Sequence, residues 1–235
     1  MFRTLVALAV SALAVGAAAA NPSAAPATTS EAQPEPLALA REIRVEINAR
    51  YRRVPPRLDV TEATTTGVIE SFTLLTPDLV EARIVAADNG IYFAVCPMRA
   101  NCPYPARRFA RPAADFLPRR LALELALRTF LETPATVVAV SLPTPRFILF
   151  IVERDELARE IDIPGLAKAL GGDPAHAPAA RLQQIVDQVT RPRVFVVLEL
   201  EPTPSGRDTL GAMPRWPTMS AGGNDSAAIR RLARP

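Results

Sequence analysis

The sequence predicts an α+β domain: a mostly antiparallel sheet of about six strands, helices packed on one face, and disordered termini. Three observations predict it. Apolar, β-prone runs follow one another across short turns, around Asp88-Asn89-Gly90 and Pro143-Thr144-Pro145. One segment, Asp115 to Glu132, is apolar around most of its circumference, as a helix laid centrally on a sheet must be. Both chain ends lose apolar periodicity and gather Ala, Pro, Ser and Gly.

The chain opens on Met1-Phe2-Arg3, then an almost uninterrupted run of Leu, Val and Ala ending in Ala17-Ala18-Ala19-Ala20. A basic start, an apolar stretch and an Ala-x-Ala site make residues 1–20 a secretory signal peptide, cut before Asn21. The apolar run falls short of the roughly 20 residues a spanning helix needs, so no stable membrane span is expected after cleavage. Residues 21–36 read as a flexible leader, 37–202 as a single α+β domain, and 203–235 as a disordered basic tail.

Within the domain, Leu37 to Arg53 fits both a strand and a helix template. Its length and the stop at Pro55-Pro56 favour the helix. Leu58 to Thr61 and Gly67 to Leu75 are strand candidates. Ala82 to Ala87 and Ile91 to Val95 flank Asn89-Gly90, which predicts a hairpin, since a type I′ turn wants residues that accept positive φ. In the central helix Asp115 is the expected N-cap, with Pro118 in the first turn and Arg120, Glu124, Arg128 and Glu132 paired along one side. A second hairpin joins Thr136 to Leu142 with Arg146 to Glu153. Short helices over Asp155 to Ile161 and Leu166 to Leu170, a helix over Ala179 to Thr190 and a strand over Arg193 to Glu201 complete the domain.

With 49% hydrophobic and 22% charged residues, the chain is globular in composition. Its net charge of +3 resides mainly in the tail, where Arg207, Arg215, Arg230, Arg231 and Arg234 outnumber Asp208 and Asp225. The domain itself is close to neutral, which argues against nucleic acid as a partner.

Cys96 and Cys102 are the only cysteines, and an even count in an exported chain predicts a disulfide. Closing so short a loop stabilises by roughly 2 kcal/mol. The spacing is not the Cys-x-x-Cys of thiol oxidoreductases, and two Cys with one His cannot complete a metal site, so no metal and no cofactor are expected. His176, the sole histidine, sits in a Gly/Asp/Pro loop with no nucleophile motif near it. Trp216, the sole tryptophan, stands between Arg215 and Pro217 in the tail.

Two clusters carry candidate chemistry. Glu153, Asp155 and Glu156 gather at a strand-to-helix junction; they suit a first helical turn, and would serve as acid and base in a hydrolase. Tyr104, Arg107, Arg108 and Arg111, with Phe109 among them and Arg119 and Arg120 beyond, form the one basic, aromatic stretch of the domain, next to the cysteines. Such a stretch binds anions, glycans or protein surfaces. The resulting expectation is a secreted or extracytoplasmic, non-catalytic binding protein whose disulfide-tied rim loop contacts an anionic, glycan or protein partner in the cell envelope or outside. The alternative is an exported hydrolase using carboxylate acid/base chemistry.

Overall fold

In the computed structural model, α1 (Pro36–Tyr51) buries Ala40, Ile43, Ile47 and Tyr51, a helical stripe that decides between the two templates. The structure describes residues 35–55, 57–76, 80–97, 112–143, 147–176 and 180–215, with the backbone alone for 112–115. Four strands follow α1: β1 (Leu58–Thr65), β2 (Ile69–Leu75), β3 (Ala82–Ala86) and β4 (Gly90–Pro97). The central helix α2 (Pro112–Glu132) starts ahead of Asp115, so Pro118 lies inside it rather than in its first turn. Then come the hairpin β5 (Val137–Leu142) and β6 (Ile148–Glu153), and helices α3 (Arg154–Glu160), α4 (Ile163–Leu170) and α5 (Ala180–Thr190). A 3₁₀ turn, Arg191–Arg193, leads into β7 (Val194–Pro202) and β8 (Asp208–Pro214).

The class is α+β, but the sheet has eight strands and is mixed, in the order β1-β4-β5-β6-β7-β8-β2-β3. Two pairs are parallel, β4 with β5 and β2 with β8. The first follows from α2, which carries the chain from β4 back to the start of β5 as a crossover helix does. The second needs β8, which lies inside the segment expected to be tail. Thr203 to Arg215 is instead a turn, with Gly206 at φ 78°, followed by a strand hydrogen-bonded on both sides. Residues 216–235 of the expected tail, like the signal and leader up to residue 34, lie outside the described residues.

The hairpin expected at Asn89-Gly90 does not form. Gly90 N–H does close a turn onto the Ala87 carbonyl (3.0 Å), but β3 pairs with β2, and β4 pairs with β1 and β5. Among the described residues Arg57 is the only non-glycine with positive φ, so Asp88 and Asn89 do not adopt the left-handed conformation of a type I′ turn. The chain leaves the turn onto a different strand partner. Gly90 is needed for close approach: a Cβ there would lie 2.8 Å from Thr66 Cγ2 and 3.1 Å from the Ala87 carbonyl.

This turn and the Thr66-Gly67-Val68 link join opposite ends of the strand order. A flat sheet would set β1 and β2 six spacings apart, about 29 Å. The link reaches at most roughly 14 Å. The sheet therefore curls until its edges meet, where the Thr66 hydroxyl, just past β1, donates to the Ala87 carbonyl at the end of β3.

Curling produces two cores. Val138, Val140, Phe150 and Val152 face the helices, while Val137, Ala139, Leu149 and Ile151 face Phe72, Leu74, Val85 and Leu210 across the curl. Every residue of β5 is buried, as a strand covered on both faces requires. The helices thus take one face of β1, β4, β5 and β6, and the far half of the sheet takes the other face of β5 and β6. On the free edge of β1, the α1 side chain Asn48 stands in for a strand: Nδ2 donates to Val60 O (2.9 Å) and Val60 N–H donates to Oδ1 (2.7 Å).

Candidate functional site

The basic, aromatic stretch begins where β4 ends. Cys96 is buried near that end, its Sγ 3.6 Å from Thr61 Oγ1 on β1. Cys102, its expected partner, lies outside the described residues, and so do Tyr104, Arg107, Arg108 and Arg111. Both ends of the stretch are placed: β4 hands over at Pro97, and α2 takes up the chain at Pro112.

Arg119 and Arg120 do not extend this stretch. Both are buried in the first half of α2. Arg119 donates to Thr190 Oγ1 (2.7 Å) and pairs with Asp187 (2.7 Å), fastening α5. Arg120 donates to the Leu170 carbonyl (3.3 Å) at the C-terminal end of α4, where the helix dipole favours a cation.

The acids at the β6–α3 junction are brought together with arginines between them. Arg83, from β3, pairs with Glu153 (2.8 Å) and with Glu156. Arg193, 3% exposed, pairs with Glu156 (3.0 Å) and Glu160 and donates to Val189 O (2.9 Å). Partial burial pushes the Glu153 carboxyl above its ordinary value, against the opposing pull of Arg83. Asp155 points to solvent. An acid–base pair of carboxylates flanks space for substrate. Here guanidinium groups hold that space, and the cluster staples β3, α3 and the entry to β7.

No known protein family, characterised protein or solved structure matches this chain.

Sequence reasoning misses the most buried charged side chain among the described residues. Glu124, expected to pair along α2, turns instead to α1. It accepts from Tyr51 OH (2.9 Å) and from Arg50, and Arg50 also donates to Gly171 O (3.1 Å). Burial, then the Glu124 charge, raises the Tyr51 phenol well above its ordinary value. The available signal was Glu124 itself, a charge flanked by Leu123 and Leu125 on the most apolar helix. With every polar partner internal, this network locks α1, α2 and the end of α4 together.

His176 is exposed, with Asp173 3.5 Å from Nδ1. Among the described residues no three His, Cys, Asp or Glu side chains gather as metal ligands, and no helix is long and apolar enough to cross a membrane. The described surface includes a groove of about 510 Å³ between α4 and α5, and a smaller pocket of about 250 Å³ where the N-terminus of α1 meets the Asp88-Asn89-Gly90 turn.

Proposed function

We propose that the protein is exported and works as a non-catalytic binding protein. Its contact segment runs from Cys96 to Arg111, tied by a Cys96–Cys102 disulfide and carrying Tyr104, Arg107, Arg108 and Arg111 toward an anionic, glycan or protein partner outside the cytoplasm. The observation that carries this reading is where the segment is rooted. It leaves the C-terminal end of β4, the strand parallel to β5, and feeds α2. Ligand sites gather at such strand-to-helix handovers in sheets with parallel strands.

The hydrolase alternative draws less support, because Arg83 and Arg193 engage Glu153 and Glu156. The deciding experiment replaces Arg107, Arg108 and Arg111 together by Ser. Retention on immobilised heparin and on an anionic cell-envelope fraction is expected to weaken about tenfold or more, the effect of losing three ion contacts of about 0.5 kcal/mol each. Equal retention of the variant and the parent would remove the proposal.

A further inference from the structure

The groove between α4 and α5 is floored by apolar side chains that the core leaves half open. Ile161, Leu182 and Ile185 are only partly buried, and Leu166 and Val189 lie beneath them. The charged residues lining it, Glu160 and Asp162, are both acidic. Glu160 remains 48% exposed although it pairs with Arg193.

β8 delivers the C-terminal chain to this place. Arg215 N–H bonds the Val194 carbonyl (2.8 Å), and Val194 follows α5 after a single 3₁₀ turn. Described structure therefore ends at the foot of α5, whose Gln188 and Val189 line the groove. The sequence beyond carries Ala227-Ala228-Ile229-Arg230-Arg231-Leu232-Ala233-Arg234. Ile229 and Leu232 stand at the i, i+3 spacing of one helix face. Arg230, Arg231 and Arg234 give it the charge opposite to Glu160 and Asp162.

We infer that Ala227–Arg234 docks in the α4–α5 groove of its own chain, with Ile229 and Leu232 on the apolar floor and the arginines beside Glu160 and Asp162. Reach is sufficient. Residues 216–226 extend to roughly 36 Å, whereas α5, the longer wall, is about 16 Å long. A short tether of this length holds its end at about 1 mM effective concentration, so an affinity of about 100 µM keeps the groove about nine-tenths occupied. This inference is independent of the proposal for Cys96–Arg111, since the two surfaces share no residue.

The test uses a fluorescein-labelled peptide of residues 224–235 and the full chain. The peptide is expected to bind saturably to the full chain carrying Ile229→Ser and Leu232→Ser, whose own tail no longer competes. It binds the unaltered chain about tenfold more weakly, because the tail already fills the groove. Adding Ala169→Arg, at an exposed groove position, to the tail variant abolishes binding; Gln188→Arg serves the same purpose if the first variant misfolds. Failure to bind the tail variant, equal binding to both chains, or indifference to Ala169→Arg and Gln188→Arg would overturn the inference. Concentration-dependent dimerisation of the tail variant through this groove would overturn it too, by making a second copy the occupant.

Discussion

Tyr51 donates its hydroxyl to Glu124 at 2.9 Å, joining the last residue of α1 to the middle of α2 where neither side chain meets solvent. Arg50 supplies the opposite charge from the partly exposed side. Removing one member of a buried pair leaves the other without compensation. Glu124→Ala is therefore expected to cost about 3 kcal/mol in denaturant unfolding. Tyr51→Phe should cost about 1 kcal/mol, since it removes a single hydrogen bond. Equal, negligible effects would contradict the network.

The same pair sets an alkaline limit. Tyr51 holds its proton more tightly in the folded chain than in the unfolded one, where a phenol titrates near 10. This contribution is intact below about pH 10 and is lost as pH rises through the higher folded value. Ultraviolet titration should show a phenolate appearing late, together with unfolding, and Tyr51→Phe should remove it. Superimposed, ordinary titrations would rule that out.

Gly90 lets the two edges of the curled sheet close. Gly90→Ala would drive a methyl group against Thr66 Cγ2 and the Ala87 carbonyl. The expected destabilisation is about 2 kcal/mol, as for overpacking elsewhere. Thr66→Ala, itself mildly destabilising, should return part of that loss in the double variant. Simple additivity of the two changes would show that the contact is not the cause.

Among the clustered acids, Glu153 and Glu156 should respond differently. Glu153 is held above its ordinary value by burial, so its charged form is disfavoured by folding. A raised carboxylate lowers stability as pH climbs through its titration range. Glu153→Gln is therefore expected to leave thermal stability unchanged or raise it at neutral pH. Glu156→Gln should lower it, because Glu156 pairs with both Arg83 and Arg193. The reverse order in paired melting curves would undo this assignment.

The β7–β8 turn carries an acid-sensitive contact. Glu70 accepts from the hydroxyls of Ser205 and Thr203 (2.7 Å for Thr203), which hold its carboxyl below the ordinary value. Stability from this contact is present above the normal carboxylate range and is lost as pH falls through the lowered one. Amide protection at Thr203–Arg207, corrected for the intrinsic pH dependence of exchange, should fall on acidification, and Glu70→Gln should flatten that dependence. A pH profile identical in the variant would count against it.

Most elements were legible because period and length agreed: α2 from its apolar circumference, β5 and β6 from continuous Val, Ile and Phe. What escaped was non-local. β8 sets only Leu210 and Met213 around the small Gly211 and Ala212, close behind Pro204-Ser205-Gly206, with no β-branched or aromatic run to signal a strand; it gains its place from partners on β7 and β2. Gly211 suits a crowded position, where a Cβ would lie 3.2 Å from Glu199 Cγ. Asn89-Gly90 suggested a hairpin, but the dihedrals at Asp88 and Asn89 answer to edge closure by Thr66, which lies far back in the sequence. Arg119 and Arg120 looked like an extension of the basic stretch because sequence does not reveal which arginines have buried partners.

Export and the state of the cysteine pair are both reported by one mass measurement. The full-length coding sequence is expressed in an exporting host, and the purified protein is denatured without reductant and treated with iodoacetamide. The predicted species begins at Asn21 and carries no alkyl group on Cys96 or Cys102. A chain that retains Met1 and is alkylated at both cysteines would contradict the account.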